Sequence, residues 1–290
     1  MLTFGVATAI SECSLWLLRS SNLYKPSYVV NGLEQSHYDY VILGSSIGLT
    51  TLNSAAIDSV VGLKGINLSM DDTGIGTQCL MLEHFLQQGK TTNYCVLSVS
   101  VANLNTRHPR LSVNNYRFLP FIRRDYVSSY FKEFEEFDAD IILGSRYFAF
   151  FGTAYYNIEL FYPALVSGLK PNMRNRFDAM GNYYYPSDPN KNHKTLVFRD
   201  VEIQLQNPFL ERLKTVCKDN QIELLVYIPP TQGEHIVFST DDYQVINHSD
   251  LLDDSYLFYD RIHVNQAGRL LASDAFANTF KLLTHKEDEQ

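Results

Sequence analysis

Three short apolar runs, separated by stretches with helical spacing, set the first constraint on this chain. DYVILG (39–44) contains β-branched residues and stops at a glycine, as a strand does. TLNSAAIDSVVG (51–62) places apolar residues at helical intervals and ends at Gly62. GINLS (65–69) reads as a second strand and NYCVLSVSV (93–101) as a third. Between them, IGTQCLMLEHFLQQG (75–89) reads as a helix with Gly89 just past its end. Strands alternating with helices in this way predict a parallel sheet covered by helices.

The rhythm breaks and then returns. From about 105 to 200 the chain is rich in Tyr, Phe, Asn and Arg, and segments such as FLPFIRRDYVSSYFKEF and GNYYYPSDPNKNHK read as irregular or partly helical insertion. Such a segment is either a wall over a substrate or plain decoration. Afterwards NPFLERLKTVCKDN (207–220) is an amphipathic helix, and IELLVYIPP (222–230) is a strand that two prolines end. SYLFYD (255–260) reads as a last short strand, and NQAGRLLASDAFANTFKLL (265–283) as the closing helix.

Composition narrows the function classes. The 290 residues, 45% of them hydrophobic, suffice for a real core. Net charge is −8 and no Lys/Arg-rich run occurs, which argues against nucleic acid as a partner. Cys13, Cys79, Cys95 and Cys217 form no C-x-x-C pair and sit near no His at ligand spacing, so no zinc site is expected. The last three lie in apolar runs and read as core residues. Residues 1–18 are apolar except for Glu12, fall short of the roughly 20 apolar residues of a span, and have no basic stretch ahead of them. Residues 1–30 are therefore either a membrane anchor or an apolar helix that packs on the protein, and residues 31–285 form one domain carrying the insertion.

Two strand ends carry the chemistry. GSSIG (44–48) follows the first strand and YDRIHVNQAG (259–268) precedes the closing helix, so both can share the carboxyl rim of a parallel sheet. A serine hydroxyl needs a base within hydrogen-bond reach, and the base needs an orienting acid. Asp260 and His263 are three residues apart, which lets Asp260 hold His263 while His263 reaches Ser46. Asn265 is placed to cap the closing helix and Gly268 to allow close packing. Alone, Ser46 would be read as a helix cap, and an isolated Asp-x-x-His is commonplace; their combination at the two ends of a βαβ pattern favours catalysis. Gly44–Gly48 also fits the Gly-x-Ser-x-Gly elbow of α/β-hydrolases, but only one strand precedes it and the acid and base are too close in sequence. A phosphate-binding loop fits less well, because no Lys follows the glycine. Ser145, in the echo IILGSRYF (141–148), lacks the small-residue helix after it. Asp71 and Asp72 read as a solvated turn more than as a cation site or an acid/base dyad.

These blocks resemble the SGNH/GDSL hydrolase superfamily over roughly 38–104 and 205–283. ILGSSIGLTTLN matches its serine block, with Ser45 where many members have Asp, and YDRIHVNQAG matches its C-terminal Asp-x-x-His block closely. INLSMDDTG is similar to the oxyanion block, with Asp72 in the glycine's place and Gly74 two residues on; VSVANLN offers Asn103 for the Asn block. The resemblance implies a flavodoxin-like three-layer α/β/α sandwich with a parallel sheet. It implies a Ser46–His263–Asp260 triad, with an oxyanion hole from the Ser46 N–H, Asp72 or Gly74, and Asn103. It also implies an esterase or O-acyltransferase acting on an acylated carbohydrate or similar ester, in the manner of envelope-associated bacterial members, with no cofactor or metal. The altered oxyanion block and the tyrosine-rich centre motivate a second reading: a non-catalytic glycan-binding or assembly protein on the same scaffold.

Overall fold

The computed structural model describes residues 2–104, 113–134, 139–240 and 242–287. They fall into two compact units: one of residues 37–79, 91–108 and 177–290, the other of residues 1–36, 80–90 and 109–176.

The first unit holds the strands β1 (His37–Gly44), β2 (Gly65–Asn67), β3 (Thr91–Ser98), β4 (Arg199–Glu202), β5 (Glu223–Ile228), β6 (Glu234–Val237) and β7 (Gln244–Asn247). Five form a parallel sheet in the order β2-β1-β3-β5-β7, and β4 and β6 form a separate parallel pair. The chain leaves β1 toward one edge and returns on the other side at β3, so the strand order reverses there, where open α/β sheets bind ligands. On one face Tyr40, Ile42, Val96, Leu225, Tyr227 and Ile246 pack with Ile57, Val61, Phe276 and Phe280 from the helices Ser54–Val61 and Gln266–Glu287. On the other face Cys95 meets Cys217 of the helix Pro208–Asp219, with Cys79 of the helix Ile75–Gln87 nearby. All three thiols are free and buried, as core residues are. Helices on both faces of the parallel sheet make the flavodoxin-like α/β arrangement that the sequence predicts.

Two local expectations are corrected. The segment 51–62 is not one helix: a short helix, Ser46–Thr51, ends at Leu52, and Asn53 starts the next by accepting from the Ala55 N–H at 3.2 Å. The segment 255–260 is not a strand. Asp254 accepts from the Tyr256 N–H at 2.9 Å and begins a 3-10 turn, Ser255–Leu257. Lys191 Nζ then takes the carbonyls of Phe258 and Tyr259, which a sheet ladder would otherwise use. The fifth strand of the sheet is β7, whose Gln and Asn ends hide it in the sequence.

The second unit is helical. It contains the helices Leu2–Arg19, Lys25–Asn31, Asp125–Phe134, Ala139–Gly144, Phe150–Tyr156 and Ile158–Leu169, and the 3-10 stretch Val113–Phe121. The apolar N-terminal residues form the helix Leu2–Arg19, which packs on Phe150–Tyr156, Ile158–Leu169 and Val113–Phe121. Among the described residues no helix is long and apolar enough to cross a membrane. His84 is fully buried here, with Nε2 2.9 Å from the Pro26 carbonyl and Nδ1 2.7 Å from the Tyr126 hydroxyl. Only an Nε2–H can serve the carbonyl, so Nδ1 accepts from Tyr126 and the ring is neutral. Burial pushes its pKa down to about 4 against the help of the Pro26 carbonyl, and Arg124 adds repulsion. The unfolded chain protonates first, so stability is complete above about pH 6.5 and falls as pH drops toward 4. The loss by pH 4.5 is on the order of 2–3 kcal/mol. Thermal denaturation from pH 7 to 4.5 is expected to show this slope, and His84→Gln to flatten it; equal slopes would remove His84 as the cause.

Candidate active site

Residues 44–48 must pass very close to the sheet. A Cβ at Gly48 would lie 2.9 Å from Ser69 Oγ and 3.0 Å from Ser98 Cβ, so only glycine lets the helix Ser46–Thr51 rest on the ends of β1 and β3. Ser45 takes the cap position of that helix: its side chain accepts from the Ile47 N–H at a long 3.5 Å. Ser46 is thereby left as the first helical residue, half-buried, with its N–H lacking an intrahelical acceptor.

The Ser46 hydroxyl points at histidine. His263 Nε2 lies 2.8 Å from Ser46 Oγ, and His263 Nδ1 lies 2.8 and 3.0 Å from the two Asp260 carboxylate oxygens. Asp260 Oδ1 also accepts from the N–H groups of Ile262 and His263, both at 2.9 Å, which curls the loop so that the i and i+3 side chains meet. Partial burial works against the Asp260 charge, but the His263 ring and those two N–H groups outweigh it and hold the carboxyl below its ordinary range. An ionised Asp260 requires the proton on Nδ1, which leaves Nε2 free to accept from Ser46. The three sequence-predicted residues thus form one hydrogen-bonded line.

Supports invisible in the sequence hold this line. Ser273 Oγ, on the closing helix Gln266–Glu287, donates to the Thr51 carbonyl at 3.3 Å and accepts from the Asn53 N–H at 2.9 Å. Arg269, buried beside them, donates to the Leu52 carbonyl at 3.3 Å. The helix that follows His263 is therefore clamped to the end of the helix that carries Ser46. Asn265 caps the closing helix, accepting from Ala267 and Gly268 at 3.0 and 3.1 Å. The loop itself is tied down by Arg261, which pairs with the nearly buried Glu234 at 2.5 Å, while Arg199 pairs with the same carboxylate at 2.9 Å. Tyr185 sits edge-on to the His263 ring at 5.3 Å and stacks on Tyr259 at 4.2 Å. Its carbonyl accepts from the Gln266 N–H at 2.8 Å, which fixes this part of the tyrosine run at the start of the closing helix. A run of three tyrosines was the only signal for it, and that signal carries no address.

The candidate oxyanion residues are placed unevenly. Met70 N–H donates to the Gly44 carbonyl at 2.9 Å, and Thr73 Oγ1 donates to the Met70 carbonyl at 2.6 Å, so the turn 70–73 is anchored at the end of β1. Asp72 lies in this turn, exposed, with φ +51°, the left-handed region that glycine adopts most readily. Gly74 follows it, half-buried, and its carbonyl accepts from the Gln78 N–H at 3.2 Å. Asn103 falls in the short helix Val101–Leu104, and its side chain lies outside the described residues. Among the described residues no group of three His, Cys, Asp or Glu side chains is arranged to hold a metal ion. No family model matches the chain, and no curated protein is significantly similar to it.

Proposed function

We propose that the protein is a serine-dependent acyl-ester hydrolase or O-acyltransferase. The observation that carries this reading is the Ser46–His263–Asp260 hydrogen-bond line with its tautomer fixed by an ionised carboxylate. In the proposed reaction Ser46 Oγ attacks the ester carbonyl as His263 Nε2 removes the hydroxyl proton. The tetrahedral oxyanion is received by the Ser46 N–H, by an N–H of Asp72 or Gly74, and by the Asn103 amide. The C–O bond to the alcohol then breaks, and His263 returns the proton to the departing oxygen. Water or a second hydroxyl, activated in turn by His263, releases the acyl group from Ser46. Asp260 holds the ring and stabilises the imidazolium. The resemblance to SGNH/GDSL hydrolases supports the same assignment and suggests an acylated carbohydrate or similar ester as substrate.

The carboxylate of Asp72, held in a glycine's conformation beside the end of β1, favours a second reading as a binding or assembly protein on this scaffold. A fluorophosphonate probe decides between them. The wild type is expected to label at Ser46, and Ser46→Ala to abolish labelling. His263→Ala should slow it at least about 10³-fold. Asp72→Gly, which removes the carboxylate and keeps the N–H, is expected to label faster. Failure of the folded wild type and of Asp72→Gly to label would sink the catalytic reading.

A further inference from the structure

The helical unit is apolar on an outer face as well as in its interior. The helices Leu2–Arg19 and Ile158–Leu169 bury Leu15, Leu18 and Leu160 together with Ser11, Ser14, Ala164 and Ser167, and Gly168, itself exposed, lets Leu17 lie close. The hydroxyls pair internally, Thr153 Oγ1 with Ser11 Oγ at 2.7 Å and Ser21 Oγ with Ser167 Oγ at 3.1 Å. Outward, the same two helices expose Val6, Ile10, Trp16, Tyr162, Leu165 and Leu169, the last 83% accessible. A surface helix in water is apolar inward and polar outward, whereas these two are apolar on both sides. Small and hydroxyl-bearing contacts between helices whose outer faces are apolar suit surroundings of lipid.

Length and charge say how they would meet it. At about 1.5 Å per residue the two helices are about 27 and 18 Å long, against a hydrocarbon core of about 30 Å, and neither qualifies as a span. Glu12, the one acid on the first helix, is paired with Arg123. The C-terminal ends of the two helices lie together, with Asn22 N–H on the Pro171 carbonyl at 2.7 Å and Asn175 N–H on the Leu23 carbonyl at 2.9 Å. That end carries Arg19, Lys170, Arg174 and Arg176, and no Asp or Glu occurs in residues 13–33 or 160–177. Aromatic and aliphatic side chains bordered by basic ones are the composition of a helix lying in the headgroup layer of an anionic bilayer.

We infer that the outer faces of Leu2–Arg19 and Ile158–Leu169 bind the surface of an anionic lipid bilayer, lying in the interface without crossing it. The inference does not depend on the catalytic reading. Trp16 is the only tryptophan in the chain and sits on this face, so it reports binding in the unmodified protein. With vesicles of phosphatidylglycerol and phosphatidylcholine, the full chain is expected to co-float and its Trp16 emission to shift to the blue. Ile10→Glu and Leu165→Glu, both at exposed positions, should each lower the bound fraction about tenfold. Leu251→Glu, exposed in the other unit, should leave it unchanged. Lys170→Glu should weaken binding to the anionic vesicles. No flotation by the folded wild type, equal binding to pure phosphatidylcholine, or binding indifferent to Ile10→Glu would overturn the proposal. So would a dimer in light scattering that Leu165→Glu dissociates while vesicles bind nothing; the face would then belong to a second copy of the chain.

Discussion

Asp260→Asn is expected to lower kcat/KM on an ester substrate about 10⁴-fold while the protein stays folded. The amide keeps the shape of the carboxyl but removes the charge that requires the proton on His263 Nδ1. It can offer an N–H to Nδ1 instead, which moves the ring proton to Nε2 and turns the Ser46 contact into a meeting of two donors. The imidazolium formed during attack also loses its counter-charge. Because the Asp260 carboxyl is held below the ordinary carboxylate range, its ionised form persists as pH falls through about 4, and its support for the fold is present above that value and lost below the depressed one. Steady-state hydrolysis of an activated ester, with circular dichroism to verify folding, checks the prediction. A loss of under about tenfold would mean that Asp260 only shapes the loop.

Gly268→Ala is expected to cost about 2–4 kcal/mol of stability, the largest loss from a single added methyl in the site's framework. A Cβ there would sit 2.2 Å from the Leu257 carbonyl oxygen and 3.1 Å from its carbon, both backbone atoms that no rotamer change can move. The same carbonyl accepts from the Asn265 N–H at 3.0 Å, so relieving the clash pulls on the residue that caps the closing helix. Activity should therefore fall along with the urea midpoint. A variant with an unchanged midpoint would show that the closing helix can shift without cost, and the clamp on Ser46 would lose its physical basis.

Legibility followed how local each signal was. β1, β3 and β5 are apolar runs bounded by breakers, and they could be read directly. Asp260 and His263 could be paired because their contact is made within one turn of chain. Joining them to Ser46 needed the rule that functional residues collect at the carboxyl ends of parallel strands. β7 escaped because four residues with polar ends carry no period, and 255–260 misled because apolar content there serves a 3-10 turn whose carbonyls go to Lys191. The clamp by Ser273 and Arg269 was unreadable, since both act on backbone carbonyls more than two hundred residues away. Ser45 and Ser46 are adjacent and chemically alike; only the helix boundary assigns the cap to one and the imidazole to the other.

The distance along the chain between Ser46 and His263, 217 residues, has a consequence for timing. The hydroxyl leaves the ribosome well before the imidazole, and the helix that secures both follows the imidazole. Until then the growing chain carries a serine without its base, which on the proposed mechanism cannot attack an ester. On the proposed mechanism reactivity appears only when the closing helix docks, so acquisition of probe labelling would mark that docking. Because Phe276 and Phe280 of that helix lie in the core of the sheet, labelling and the sheet should be lost together on denaturation.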